Sequence, residues 1–204
     1  MRKRNVSRYS LNQIILYIIG VGVMPLGVVF TINAHLGAGG YDAFNFALAE
    51  KLGVHTSYAI YGTAFLATFI TAFIRRGMPR LTTFISSFFI GMATDFWKMR
   101  VSFVQGTTIM GSFFIMVVGL FLIGIAVASY MHSGLPTNPT DDLVVACRER
   151  GYSIRVSKIV FDLICMLLAL VLGGEIGIGT ILVTFFLGPI IDFFYKIITK
   201  VIDS

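Results

Sequence analysis

Six aspartates and two histidines stand where an apolar chain has least use for them. Asp162 falls within the apolar run Val156 to Leu172, roughly two turns from its start, where a carboxylate needs a partner or a wet cavity. Asp42 and the pair Asp141-Asp142 each follow a Gly- or Pro-rich break and open a short segment of mixed polarity. Asp95 and Asp192 lie near the ends of two longer apolar runs, and His35 and His132 flank the breaks. Ionisable groups in such places mark a solute or ion pathway, a proton relay or a structural pair. The competing reading is plainer: Asp42 and one of Asp141 or Asp142 cap their helices, Asp95 and Asp192 sit at the water boundary, and the histidines hold interfacial hydrogen bonds. Enzyme chemistry is not expected, because the sequence contains no nucleophile and base constellation and no phosphate-binding loop. Cys147 and Cys165 have neither disulfide-framework nor metal-ligand spacing, so neither cofactor nor metal is expected.

These residues recur at a fixed interval. Shifted by 97 positions, Leu81 to Trp97 overlies Ile178 to Phe194 without a gap, which pairs Thr83 with Thr180, Gly91 with Gly188 and Asp95 with Asp192. The same shift pairs Gly22 with Gly119, Gly27 with Gly124, His35 with His132 and Gly37 with Gly134. Apolar helices share phenylalanine by composition, but composition gives no reason to repeat an acid at one step. The sequence therefore reads as a duplicated unit. Register slips inside the short segments, where Asp42 pairs best with Asp141 and Gly53 with Gly151.

The elements that must position these groups are membrane helices. Of 204 residues, 56% are hydrophobic and 13% charged, and the mean hydropathy is +0.86. A net charge of +6 would point to nucleic acid in a soluble chain, but here the basic residues cluster between apolar runs. After a basic segment, 1–10, the first unit covers 11–100: a span from about Leu11 to Asn33 with a kink expected at Pro25, a short amphipathic or re-entrant helix from Ala43 to Leu52, and spans Ser57 to Ile74 and Leu81 to Trp97. Asp42 is expected to cap the short helix and Gly53 to end it. A linker, 101–106, leads to the second unit, 107–200, with spans Thr107 to Met131, Val156 to Leu172 and Thr180 to Ile198, a short helix from Leu143 to Arg150, and a tail, 201–204. Trp97, Tyr41, Tyr58 and Tyr130 fit an aromatic belt.

With a cytoplasmic amino terminus and six spans, the inner side collects Arg2, Lys3, Arg4, Arg8, Arg75, Arg76, Arg80, Arg148, Arg150, Arg155, Lys158, Lys196 and Lys200. The outer side keeps Lys51, Lys98 and Arg100, a strong positive-inside bias that places both termini in the cytoplasm. Three spans per unit make the second unit enter upside down. The expected fold is thus an all-α membrane protein of six transmembrane helices in two inverted three-helix repeats, the architecture of alternating-access carriers.

The breaks carry the remaining signal. Gly37, Gly39 and Gly40 in the first unit are matched by Gly134, Pro136 and Pro139 in the second, and Gly188-Pro189 interrupts the last span. Non-helical backbone at membrane depth is tolerated against protein or a cavity. If the short helices tilt inward, their amino termini would face a central site and favour an anionic group. The segments Gly37 to Asp42, Leu135 to Asp142 and Gly173 to Ile191 resemble the YczE/YyaS/YitT family of bacterial multi-pass membrane proteins. Gly40-Tyr41-Asp42 departs from that family's more usual Gly-Pro-Trp-Asp form. The resemblance implies a bacterial cytoplasmic membrane and the six-span plan, and marks Asp42, Asp141, Asp142, Gly188 and Pro189 as motif positions.

Two functions fit these observations. One is a small-solute carrier, or the substrate-binding subunit of a transporter, with an anionic solute among the candidates. The other is a non-catalytic accessory protein that steadies a membrane partner. The expected partners are the lipid bilayer, a small solute, and a second copy or another membrane protein, with no nucleic acid.

Overall fold

The computed structural model describes residues 10–202 except positions 38, 55 and 175, with backbone alone at 56, 57 and 95. The basic residues Arg2, Lys3, Arg4 and Arg8, and the end of the tail, lie outside the described residues. Eight helices follow in order: α1 (Leu11–Asn33), α2 (Gly40–Leu52), α3 (Thr56–Arg75), α4 (Thr83–Arg100), α5 (Ile109–Ser133), α6 (Pro139–Glu149), α7 (Ile154–Val171) and α8 (Ile178–Ile202). Among the described residues there is no strand.

Local chemistry sets the helix ends. Thr108 Oγ1 accepts from Gly111 N at 3.1 Å and Ser153 Oγ from Val156 N at 3.2 Å, so α5 and α7 each start on a side-chain cap. Gly53 ends α2 with φ 63, as expected of a glycine at that place, and Gly134 ends α5 with φ 71. The two short helices begin earlier than expected, and their aspartates do not cap them. Gly39 and Asn138 are the caps, Pro139 starts α6, and Asp42, Asp141 and Asp142 lie within the first turns. The physical reason is that proline suits the first helical position, while an acid inside the first turn still meets the positive end of the helix dipole. Pro25 and Pro189 lie inside α1 and α8.

α1, α3, α5 and α8 are long and apolar enough to cross a membrane. α4 and α7 are 18 residues each but carry more charge: Asp95, Lys98 and Arg100 in one, Arg155, Lys158 and Asp162 in the other. The outside is largely apolar, and the interior combines an apolar core with many buried polar side chains. Phe73 is 84% exposed and Ile109 88%, whereas Asn45, Thr83, Ser86, Thr180 and Thr184 are at 0 or 1%. This is an all-helical membrane protein.

α1 and α5 form the axis. A methyl group on Gly20 would meet Ala126 and Tyr130, and one on Gly27 would meet Gly119 and Ile123, so the two helices run antiparallel with their backbones close together. His35 and His132, just past or at the carboxyl ends of these helices, therefore lie at opposite ends of the bundle. α4 packs on α1 and α8 on α5. Each short helix packs across the molecule, α2 on α7 and α6 on α3, and their amino-terminal ends touch α8 and α4 respectively.

Candidate functional site

The amino-terminal ends of α2 and α6 approach one buried polar cluster. Its centre is Lys158 on α7, 8% exposed, with Nζ 3.0 Å from Asp162 Oδ1 one turn further along. Asp162 is 1% exposed, and its second carboxylate oxygen has no hydrogen-bond partner among the described residues. Lys158 is also close enough to Asp141 on α6 and Asp42 on α2 for their charges to interact. Tyr130 on α5, wholly buried, donates its hydroxyl proton to the Asp141 carboxylate. One carboxylate, Asp162, thus pairs directly with the ammonium, while Asp42, half-buried, and Asp141, 4% exposed, lie within electrostatic range of it.

The backbone permits this crowding at two glycines. A Cβ on Gly188 would lie 2.9 Å from Arg155 O and 3.2 Å from Lys158 Cβ, so α8 can run against the α7 face that bears the lysine. One on Gly40 would lie 2.4 Å from Asp162 O and 3.2 Å from Thr184 Oγ1, which lets the start of α2 rest on α7 and α8 together. Thr184 is fully buried, and its hydroxyl has no partner among the described residues. At the equivalent end of α6 the position matching Thr184 is bonded, although the Thr137 hydroxyl beside the cap is likewise without a partner among the described residues. Ser87 Oγ donates to Asn138 Oδ1 at 3.0 Å, Ser86 Oγ donates to Pro136 O, and Tyr17 Oη lies 2.8 Å from Ser86 Oγ.

A second charged group stands at the far end of α3. Arg75, with a side chain 9% exposed, holds both carboxylate oxygens of Asp142 and lies 2.7 Å from Glu149 Oε2, tying α6 to α3. α2 is tied to the same helix by neutral groups: Thr63 Oγ1 donates to Asn45 Oδ1 at 2.7 Å, and Tyr41 Oη lies 3.0 Å from Thr63 Oγ1.

The sequence-derived candidates therefore divide. Asp42, Asp141 and Asp162 come together, while Asp142 faces Arg75 instead. Asp192 bonds Lys196 at 2.6 Å on an exposed turn, and Asp95 lies on α4 with its side chain outside the described residues. His35 Nε2 meets Gln105 Oε1 at 2.7 Å, and His132 sits beside Tyr195 and Thr199, so neither histidine joins the cluster. Gly37 packs on Gly177 with φ 112, and Gly39 starts α2 beside Val183. Tyr130 and Tyr41 belong to the polar interior rather than to an aromatic belt, because both hydroxyls have buried partners. Sequence reasoning passed over Lys158, Arg75, Tyr130 and Thr184. The i, i+4 spacing of Lys158 and Asp162 was a readable signal; the other contacts depend on tertiary packing. Among the described residues no three His, Cys, Asp or Glu side chains gather closely enough to hold a metal ion.

Residues 11–196 match the model of a family described as a family of unknown function, DUF6198. The chain belongs to the DUF6198 family. Among its relatives are two Bacillus subtilis (strain 168) proteins. An uncharacterized protein, YyaS, is 26% identical over 186 residues, covering 90% of this chain and 92% of that one. An uncharacterized membrane protein, YczE, is 29% identical over 180 residues, covering 87% and 82%. A Haemophilus influenzae protein is 26% identical over 161 residues, covering 75% and 71%. The resemblance drawn from the helix breaks thus holds for YyaS and YczE. No solved structure matches this DUF6198 chain at comparable significance.

Proposed function

We propose that this DUF6198 protein is a small-solute carrier of the bacterial cytoplasmic membrane, built as two inverted three-span repeats that rock about the Lys158 cluster. The observation that carries the reading is the cluster itself: Lys158, Asp162, Asp141 and Asp42 are gathered between the amino-terminal ends of two short helices from different halves. Buried ionisable groups are costly in a membrane protein and are kept where a pathway needs them. Antiparallel α1 and α5, with the exchange of short helices between halves, support the inverted arrangement. In that arrangement α4 and α7 are the two further spans, and their charged residues face the interior or the boundary.

The solute is expected to carry hydrogen-bond donors. The protein's own carboxylates already occupy the first turns of α2 and α6, the places an anion would take, and they outnumber the single lysine. Purified protein in a thermal-shift screen of small amines, amino acids and organic acids should respond to a donor-bearing solute, and Asp141→Asn should abolish the response while the protein still elutes as a folded species. A panel response confined to organic acids, or a response unchanged in Asp141→Asn, would contradict this reading.

A further inference from the structure

We propose that the first turn of α2, with Asp162 and Thr184, forms a binding site for a monovalent alkali cation of sodium size; this rests on the carrier reading for its use, but not for its existence. Among the described residues two buried oxygens lack partners here, Asp162 Oδ2 on α7 and Thr184 Oγ1 on α8. They are 1% and 0% exposed, and Gly40 wedges against the peptide oxygen of Asp162 and the hydroxyl of Thr184. A buried acceptor without a donor costs about 1–3 kcal/mol, more if charged, and a cation removes that cost for several oxygens at once.

The other half of the molecule indicates what is missing. Asn138 caps α6 and accepts from Ser87 at 3.0 Å, whereas the corresponding cap of α2 is Gly39, which has no side chain to offer Thr184. The packing here is close, since a Cβ on Gly40 would lie 2.4 Å from Asp162 O, so an atomic ion suits the place better than an organic solute.

The donors are all oxygens, a carboxylate, a hydroxyl and a peptide carbonyl, which is the ligand set of a hard cation. The charge agrees. Asp42, Asp141 and Asp162 face one Lys158, so one added positive charge brings the cluster nearer neutrality. A divalent ion would want three or more ligating acid, His or Cys side chains close together, and among the described residues there is no such group. Because Lys158 holds the same carboxylate at 3.0 Å, cation binding at Asp162 would act on that ion pair.

The test is thermal unfolding of the purified full chain at constant ionic strength, with choline chloride replaced stepwise by NaCl or KCl, alongside equilibrium binding of radioactive sodium. Sodium should raise the unfolding temperature in a saturable way, potassium less and choline not at all. Thr184→Val, which keeps the side-chain volume, should fold normally and bind sodium about 10-fold more weakly or worse. Asp162→Asn provides a second variant, expected to lose binding altogether. Equal responses to sodium, potassium and choline, a response to pH alone, or undiminished sodium binding in Thr184→Val would overturn the proposal. Sodium binding without any solute response would leave this site standing and sink the carrier reading; a solute response indifferent to sodium would do the opposite.

Discussion

The two short helices are near copies that are held in different ways. α6 is pinned at both ends: Asn138 accepts a hydrogen bond from Ser87 at its start, and Arg75 reaches both Asp142 in the first turn and Glu149 at the last residue. α2 has neither restraint; Gly39 replaces the capping asparagine, and its link to α3 is the neutral trio Asn45, Thr63 and Tyr41. The position matching Arg75 after the 97-residue shift is Leu172, and the positions matching Lys158 and Asp162 are Tyr61 and Phe65. The helix pairs differ as well, since α7 packs along α8 while α3 and α4 make at most passing contact among the described residues. The two halves thus differ in where charge sits: a lock on α6, and a charged cluster on α7 against α2.

The largest effect should come from splitting the cluster. Lys158→Met leaves Asp162 buried without its cation, and breaking a buried pair from one side costs about 3–5 kcal/mol. Thermal unfolding in detergent should fall sharply for Lys158→Met, while Lys158→Met combined with Asp162→Leu should recover most of the loss. A single variant as stable as the parent would mean that the pair is not buried as described.

Next comes the lock. Arg75→Ala strands the Asp142 carboxylate, 8% exposed, and should cost about 2–4 kcal/mol. The loss should appear as faster proteolysis or cysteine labelling at Cys147, which lies on α6. The matching Leu172→Ala should leave Cys147 unchanged. Equal exposure of Cys147 in both variants would erase the difference between the halves.

The smallest effect separates the two amino-terminal ends. Ser87→Ala removes a formed hydrogen bond and should cost about 1 kcal/mol. Thr184→Val removes a hydroxyl that has no partner, so without added sodium it should be neutral or slightly stabilising. Comparable losses in both would indicate that Thr184 has a partner after all.

Much of the framework was readable from residue order. Ser153 ahead of α7, Gly53 after α2 and the run Leu11 to Asn33 each follow from local rules. The site was half readable. Asp162 announced itself as an acid in an apolar run, but Lys158 was counted among the cytoplasmic positive charges because its number of residues from the helix end resembled that of a boundary lysine. The i, i+4 spacing outweighs that position, since each group answers the other's burial cost. Asp141 could not be joined to Tyr130, nor Asp142 to Arg75, from spacing alone. Those contacts exist because α6 folds back across α5 and α3, a packing decision made at long range.

Halves inserted in opposite senses would bring their breaks to one interior from opposite faces. In a cysteine-free background, single cysteines at positions 35 and 132 should be labelled in intact cells by an impermeant maleimide in the first case, and after permeabilisation alone in the second. Labelling of both positions from the same face would contradict the account.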